Sequence, residues 1–213
     1  MTPVSALAAA TPPAFGVLPM SGFSTARQKM VDGQVRPSDV TDIRIIDAML
    51  AVPRETFVPE NRRALAYLDL DLDVSEGGAA GRFLIKPAVL AKMLQAAEIK
   101  ETDRVLVVGC TTGYAAAVIA QFAGQVVSAA SADGDQANAP FDVIVLNGAT
   151  EIVPEKLYRQ LRDGGRLVGV FAMSQPPRAT IVTRSHGDFG NRALFDAAAP
   201  VLPGMERLPA FVF

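Results

Sequence analysis

Arg104-Val105-Leu106-Val107-Val108-Gly109-Cys110-Thr111-Thr112-Gly113-Tyr114 joins an apolar run to a turn bounded by two glycines, and the fold class follows from it. Its opening apolar run shows no alternation, which predicts a strand covered on both faces. Gly109 to Gly113 then turns the chain, and Tyr114 to Ala123 reads as a helix. The downstream sequence repeats this rhythm. Val126 to Ala130 and Phe141 to Leu146 read as strands, Glu155 to Leu161 as a helix entered through Pro154, and Arg166 to Phe171 as a further strand. Ala179 to Thr183 and Arg192 to Phe195 flank the turn-rich Ser185-His186-Gly187-Asp188-Phe189-Gly190, which predicts an antiparallel hairpin. Strands alternating with helices and closed by a hairpin predict an α/β fold with a doubly wound, mostly parallel sheet.

Upstream the pattern is helical. Ala26 to Met30 begins it, and Thr41 is a plausible N-cap for a helix whose one face carries Ile45, Ile46, Met49 and Leu50 before Pro53 stops it. Phe57 to Tyr67 reads as loop and short helix, Asp69 to Val74 alternates weakly, and Gly77, Gly78 and Gly81 make a connection. Pro87 suits a first helical turn, followed by Leu90, Met93, Leu94 and Ala97 at helical spacing. The expected organisation is a disordered leader over residues 1–23, rich in Ala and Pro, and a single domain over 24–213. That domain divides into a helical, substrate-facing segment (24–100) and a cofactor core (101–213). The leader lacks the basic start and apolar core of a secretory signal, and Met20 is an alternative first residue.

Composition narrows the function. Of 213 residues half are apolar, enough for a full core, and the formal net charge of −2 offers no basic stripe for phosphate backbones. Nucleic acid is therefore not an expected partner. No apolar run reaches the roughly 20 residues that span a bilayer, so no membrane association is expected. One cysteine, Cys110, excludes an internal disulfide and fits the cytoplasm. No His or Cys spacing suggests a metal. His186, the sole histidine, reads as a turn residue, and Arg62-Arg63 as a solvated face.

The turn itself has two readings. Its two glycines can simply permit a tight strand-to-helix connection. Alternatively Gly109, Cys110, Thr111, Thr112, Gly113 and Tyr114, with Asn147 at the end of the Phe141 strand, line a nucleotide crevice at the carboxyl ends of adjacent strands. The spacing G-x-x-x-G does not meet the dinucleotide fingerprint, which argues against a nicotinamide oxidoreductase.

Several ordered motifs then carry a resemblance. Met30-Val31-Asp32-Gly33-Gln34-Val35-Arg36 comes first, followed by Thr41-Asp42, Ala48-Met49, Val52-Pro53-Arg54 and Phe57-Val58-Pro59. Ala66-Tyr67-Leu68-Asp69, Phe141-Asp142-Val143-Ile144-Val145 and Leu161 with Gly164-Gly165-Arg166-Leu167-Val168 complete the series. In this order they resemble the protein-L-isoaspartate O-methyltransferase family over nearly everything after residue 24. The V-P-R-x-x-F-V-P block is the most specific part. The resemblance implies a class I methyltransferase-like fold, S-adenosyl-L-methionine as cofactor, and isoaspartyl-containing peptides or proteins as substrate. Methyl transfer to their carboxylate begins the repair of damaged protein.

Four departures from the family pattern bear on chemistry. Val107 stands where the family has an acid for the cofactor's ammonium, and Thr111 replaces the middle glycine of the turn. Arg82-Phe83-Leu84-Ile85-Lys86 precedes Pro87 where the family carries G-Q-T-I-S-x-P, so Ile85 replaces the catalytic serine. The acid for the ribose hydroxyls has no clear counterpart, with Asp133 and Asp135 nearby. No catalytic residue can be named, and cofactor binding should be weakened. Two readings remain: an enzyme of impaired activity, or a non-catalytic binding protein that keeps the fold. Finally, only about ten residues lead from the second strand to Phe141, near the lower limit for a parallel crossover. Either the sheet edge is excised or residues are missing between Ala130 and Phe141, and the intact flanking motifs favour missing residues.

Overall fold

The structure, a computed structural model, describes residues 20–75 and 81–208. Helices α1 (Met20–Met30), α2 (Ile43–Ala51) and α3 (Pro87–Ala97) precede the main sheet, together with a short ladder of β1 (Leu72–Asp73) and β2 (Phe83–Leu84). Then come β3 (Arg104–Val108), α4 (Tyr114–Ile119), β4 (Gln125–Ala129), β5 (Phe141–Thr150), α5 (Glu155–Tyr158), β6 (Leu161–Phe171), β7 (Arg178–Ser185) and β8 (Asp188–Asp196). The six-stranded sheet runs in the order β4-β3-β5-β6-β7-β8. Its first four strands are parallel, and β7 and β8 are antiparallel, so the doubly wound sheet with a reversed end forms as expected.

Alternation along the strands divides the core between the two faces of the sheet. Val105, Val107, Val143, Val145, Val168 and Val170 face the helices, where they pack with Met49, Leu90, Met93 and Val118. Leu106, Val108, Ile144, Leu146 and Leu167 face the other way, against Leu157, Leu202 and Met205. That second face is thinly covered, by the β4–β5 crossing, the single turn of α5 and the segment after Pro200.

The crossing is short but closed. Gln160, buried at the end of α5, ties it down: its Nε2 donates to Asp133 O at 2.6 Å, and its Oε1 accepts from Asp135 N at 2.9 Å. Ala132 and Ala139 pack on the sheet, and β4 with its half-exposed valines is the edge.

Several local expectations shift. The leader expected over residues 1–23 lies, up to residue 19, outside the described residues. Its last residues belong to α1, and Phe23 is buried with its ring 6.5 Å from that of Tyr67. An aromatic side chain with a core to enter extends the helix past the Ala/Pro-rich composition. The cap of α2 is Asp42, whose Oδ1 accepts from Arg44 N at 3.0 Å. Thr41 instead gives its N–H to Gln95 Oε1 at 2.7 Å. The helix expected to reach Leu161 stops at Tyr158, because Leu161 enters β6 beside Phe141. The hairpin turn narrows to His186 and Gly187, both at positive φ, as a two-residue turn between twisted strands requires. His186 is exposed there, its N–H held by Asp163. Arg62 donates to the Asp73 carbonyl and so ties its turn to β1. Gly77 and Gly78 lie outside the described residues.

Candidate functional site

The turn after β3 is built from within. Gly109 (φ +74) and Gly113 (φ +86) occupy the left-handed region that disfavours side chains, and Gly113 caps α4. Gly109 N donates to Ala129 O at 2.8 Å, tying the turn to the end of β4. Asn147 is not the end of its strand, since β5 runs on to Thr150 beside β6. It follows Leu146, the last β5 residue paired with β3, and from there it donates from Nδ2 to Gly109 O at 3.3 Å. Asn147 therefore lies against the turn, its side chain buried and bonded to the turn's backbone.

The expected site residues divide by exposure. Thr111, Thr112 and Gly113 are half-buried, and among the described residues the N–H groups of Thr111 and Thr112 make no hydrogen bond. Cys110 and Tyr114 are buried and brace the turn from behind. Burial pushes the Cys110 thiol up, although the N–H groups of Ala116, Gly113 and Ala115 and the Ser128 hydroxyl pull the other way. A thiol kept protonated is a poor nucleophile, and Cys110 here serves as a small polar group at the start of α4. Tyr114 points its ring into the core, where burial also raises its hydroxyl.

The V-P-R-x-x-F-V-P block acquires its physical meaning behind that turn. Arg54 is wholly buried. Its Nε donates to Ala66 O at 2.7 Å and its Nη2 to Ile85 O at 2.9 Å, and its guanidinium lies 4.7 Å from the centre of the Tyr114 ring. One side chain therefore joins the segment around Ala66, the loop before Pro87 and the helix that follows the turn. Burial lowers its pKa, and no ion pair among the described residues offsets that desolvation. Phe57 completes the brace with an edge-on contact to Tyr114 at 5.6 Å. Next to it Tyr67 donates to Glu55, which also accepts from Arg27 at 3.3 Å.

Each departure from the family pattern has a definite place. Ile85, at the position where the resemblance implies a serine, is buried in the core, and its carbonyl accepts from Arg54. Val107 is wholly buried between Ser128 and Val145 on the neighbouring strands. Asp133 is paired with Lys156 at 2.8 Å and Asp135 caps the 3-10 turn Gln136–Asn138, so both serve the crossing.

Two residues escaped the sequence reading. Arg82 reaches across to the turn and donates from Nη2 to Thr111 O at 2.8 Å, with its Nε–H buried and unpartnered. Its sequence signal was an arginine in the loop where the family carries glutamine. Leu202 packs its end on Gly109 and Gly148, in a segment held by Pro200 O to Ala149 N and by Leu202 N to Ala149 O. No local pattern announces that contact.

Comparison with known proteins bears on the same elements. The sequence model described as protein-L-isoaspartate(D-aspartate) O-methyltransferase matches residues 25–135 and 125–188, two pieces that overlap over β4 and the start of the crossing that follows it. A protein-L-isoaspartate O-methyltransferase of Koribacter versatilis is 34% identical over 176 residues, covering 70% of this chain and 78% of the relative. Since 70% of 213 residues is fewer than 176, part of the aligned stretch of that relative has no counterpart here. Among solved structures, a protein-L-isoaspartate O-methyltransferase superimposes with a TM-score of 0.71 at 21% identity, covering 84% of this chain and 66% of that one. A second, a β-aspartate methyltransferase from Plasmodium falciparum in complex with S-adenosyl-L-homocysteine, gives 0.64 at 15% identity, covering 84% and 97%. At these identities the structural likeness establishes a shared fold. The sequence matches go further, and the chain belongs to the protein-L-isoaspartate(D-aspartate) O-methyltransferase family.

Proposed function

We propose that this chain transfers the methyl group of S-adenosyl-L-methionine to the carboxylate of isoaspartyl residues in proteins and peptides. Family membership supports the reaction. The observation that carries it to these residues is the junction at Thr111, where the glycine turn meets the Arg82–Pro87 loop through the Arg82 guanidinium.

The residues around the turn fit one end of the cofactor better than the other. The N–H groups of Thr111 and Thr112 and the orphaned Nε–H of Arg82 are donors suited to a carboxylate and hydroxyls, with the Asn147 amide bonded to Gly109 O behind them. These residues, with Gly109 and Gly113, would hold the cofactor, and Cys110 and Tyr114 would support the turn beneath it. The ammonium end lacks an acid, since Val107 is apolar and enclosed. When bound, the cofactor supplies an electrophilic methyl on a sulfonium. The chain's task is then to present a carboxylate, already ionised near neutral pH, and to exclude water. No general base is needed, because a carboxylate nucleophile has no proton to lose.

The buried Ile85 favours a second reading, a binding protein without turnover, because no hydroxyl stands at the serine position. Calorimetry with S-adenosyl-L-homocysteine, followed by methyl incorporation into an isoaspartyl peptide and its aspartyl isomer, separates the two. Binding with methylation of the isoaspartyl peptide alone is the expected result. Binding without methylation sustains the second reading, and absence of binding removes both.

A further inference from the structure

We propose that Arg82 is a carboxylate-holding residue of this site, supplying by charge what Ile85 cannot supply by hydroxyl. The inference rests on the methyltransferase reading above and concerns a residue that departs from the family's glutamine. Three observations carry it. First, the side chain lies on the turn: Nη2 donates to Thr111 O at 2.8 Å, beside the open N–H groups of Thr111 and Thr112. Second, the guanidinium is under-used. Its Nε–H is buried without an acceptor, and among the described residues no carboxylate pairs with it. A buried N–H of a charged group is costly to leave unmade, and a carboxylate matches the planar fork with two parallel bonds. Third, the backbone that carries it is pinned. Arg82 N donates to Ser75 Oγ at 2.8 Å, and Arg82 O accepts from Val74 N at 2.7 Å. The paired residues Leu72–Leu84 and Asp73–Phe83 hold the loop on its far side.

Two carboxylates can come to this position: that of the methyl donor's amino-acid portion, and that of the isoaspartyl side chain. The chemistry of recognition is the same for both. If the second is held, methylation converts an anion to a neutral ester, the ion pair is lost, and the product leaves more easily than the substrate.

The test compares the wild type with Arg82→Gln and Arg82→Lys by calorimetry, after melting curves have checked folding. The probes are S-adenosyl-L-homocysteine, 5′-methylthioadenosine (the same nucleoside thioether without the amino-acid carboxylate), and an isoaspartyl peptide titrated into the homocysteine complex. If Arg82 holds the donor's carboxylate, Arg82→Gln weakens S-adenosyl-L-homocysteine about ten- to a hundredfold and leaves 5′-methylthioadenosine unchanged. If it holds the isoaspartyl carboxylate, nucleoside binding is unaffected and the peptide weakens by a similar factor. In either case Arg82→Lys, which keeps the charge but loses the fork, lies between wild type and glutamine, and it decides alone if the glutamine variant does not fold. Equal weakening of both nucleosides would mean that Arg82 only supports the Thr111 carbonyl, and it overturns the proposal. So does the absence of any change. Failure of the wild type to bind any probe overturns the methyltransferase reading, and the Arg82 proposal with it.

Discussion

Gly109 offers a quantitative check on how the turn is assembled, through the double substitution with Leu202. A Cβ added at Gly109 would lie 2.3 Å from Leu202 Cδ2, 3.0 Å from Cδ1 and 3.2 Å from Cγ. The backbone there has φ +74. Gly109→Ala therefore meets two separable penalties. The left-handed backbone costs an alanine about 1–2 kcal/mol wherever the side chain points. The overlap with Leu202 adds roughly 1–3 kcal/mol, since Leu202 is itself wedged against Gly148 and cannot swing aside freely. Leu202→Ala alone leaves a cavity and costs about 2–5 kcal/mol. In the double variant the new methyl enters space that the leucine has vacated, so the overlap vanishes and the cavity shrinks. The combined loss should fall short of the sum of the single losses by about 1–3 kcal/mol, with the backbone penalty remaining. Urea denaturation of the four proteins measures this directly. For a chain of this size each kcal/mol corresponds to about 2–4 °C in Tm, which provides a second readout. Strict additivity would refute the reasoning, because it would mean that the segment after Pro200 does not rest on the turn.

Other outcomes follow from the same structure. Arg54→Met should cost about 2–4 kcal/mol in urea denaturation, because the Ala66 and Ile85 carbonyls lose their donors, although a buried charge is removed. Deleting residues 1–19 tests the leader as expected from composition, and Tm should hold. Phe23→Ala should lower it, since that ring is in the core. Val107→Glu should destabilise the unliganded protein by about 2 kcal/mol or more, the cost of enclosing a polar group. It should also strengthen S-adenosyl-L-homocysteine binding in calorimetry; a stable variant with unchanged affinity would remove Val107 from the site. Tyr67 gives a pH dependence. Burial and the bond to Glu55 push its hydroxyl up from 10.0 to about 12. The folded state then holds that proton more tightly than the unfolded chain, so the stabilisation is full below pH 10 and is lost as pH rises through about 12. Denaturation measured across that interval should show the fall in wild type and a smaller one in Tyr67→Phe, with Tyr158, raised similarly, and Tyr114, also raised by burial, contributing to the remainder.

Much of the architecture was legible because it is local. The unbroken apolar run of β3, the spacing of Leu90, Met93, Leu94 and Ala97 in α3, and the His186-Gly187 turn each express their structure within a few residues. The family motifs were equally legible, and the strand pattern set Asn147 near the turn from Gly109 to Tyr114. What the motifs did was not. Arg54 stood in the most specific block, yet its task depends on Ala66, Ile85 and Tyr114 arriving around it. Arg82 meets Thr111 across 29 positions and Asn147 meets Gly109 across 38, distances over which periodicity carries no information. The short path from Ala130 to Phe141 could be counted in the sequence, but its closure depends on Gln160, whose amide grips both Asp133 and Asp135 from the end of α5. The place of Leu202 over two glycines was likewise decided only in three dimensions. Side chains encode their own elements through spacing. Which elements they close upon depends on the shape left by all the others, and that shape exists only in the folded chain.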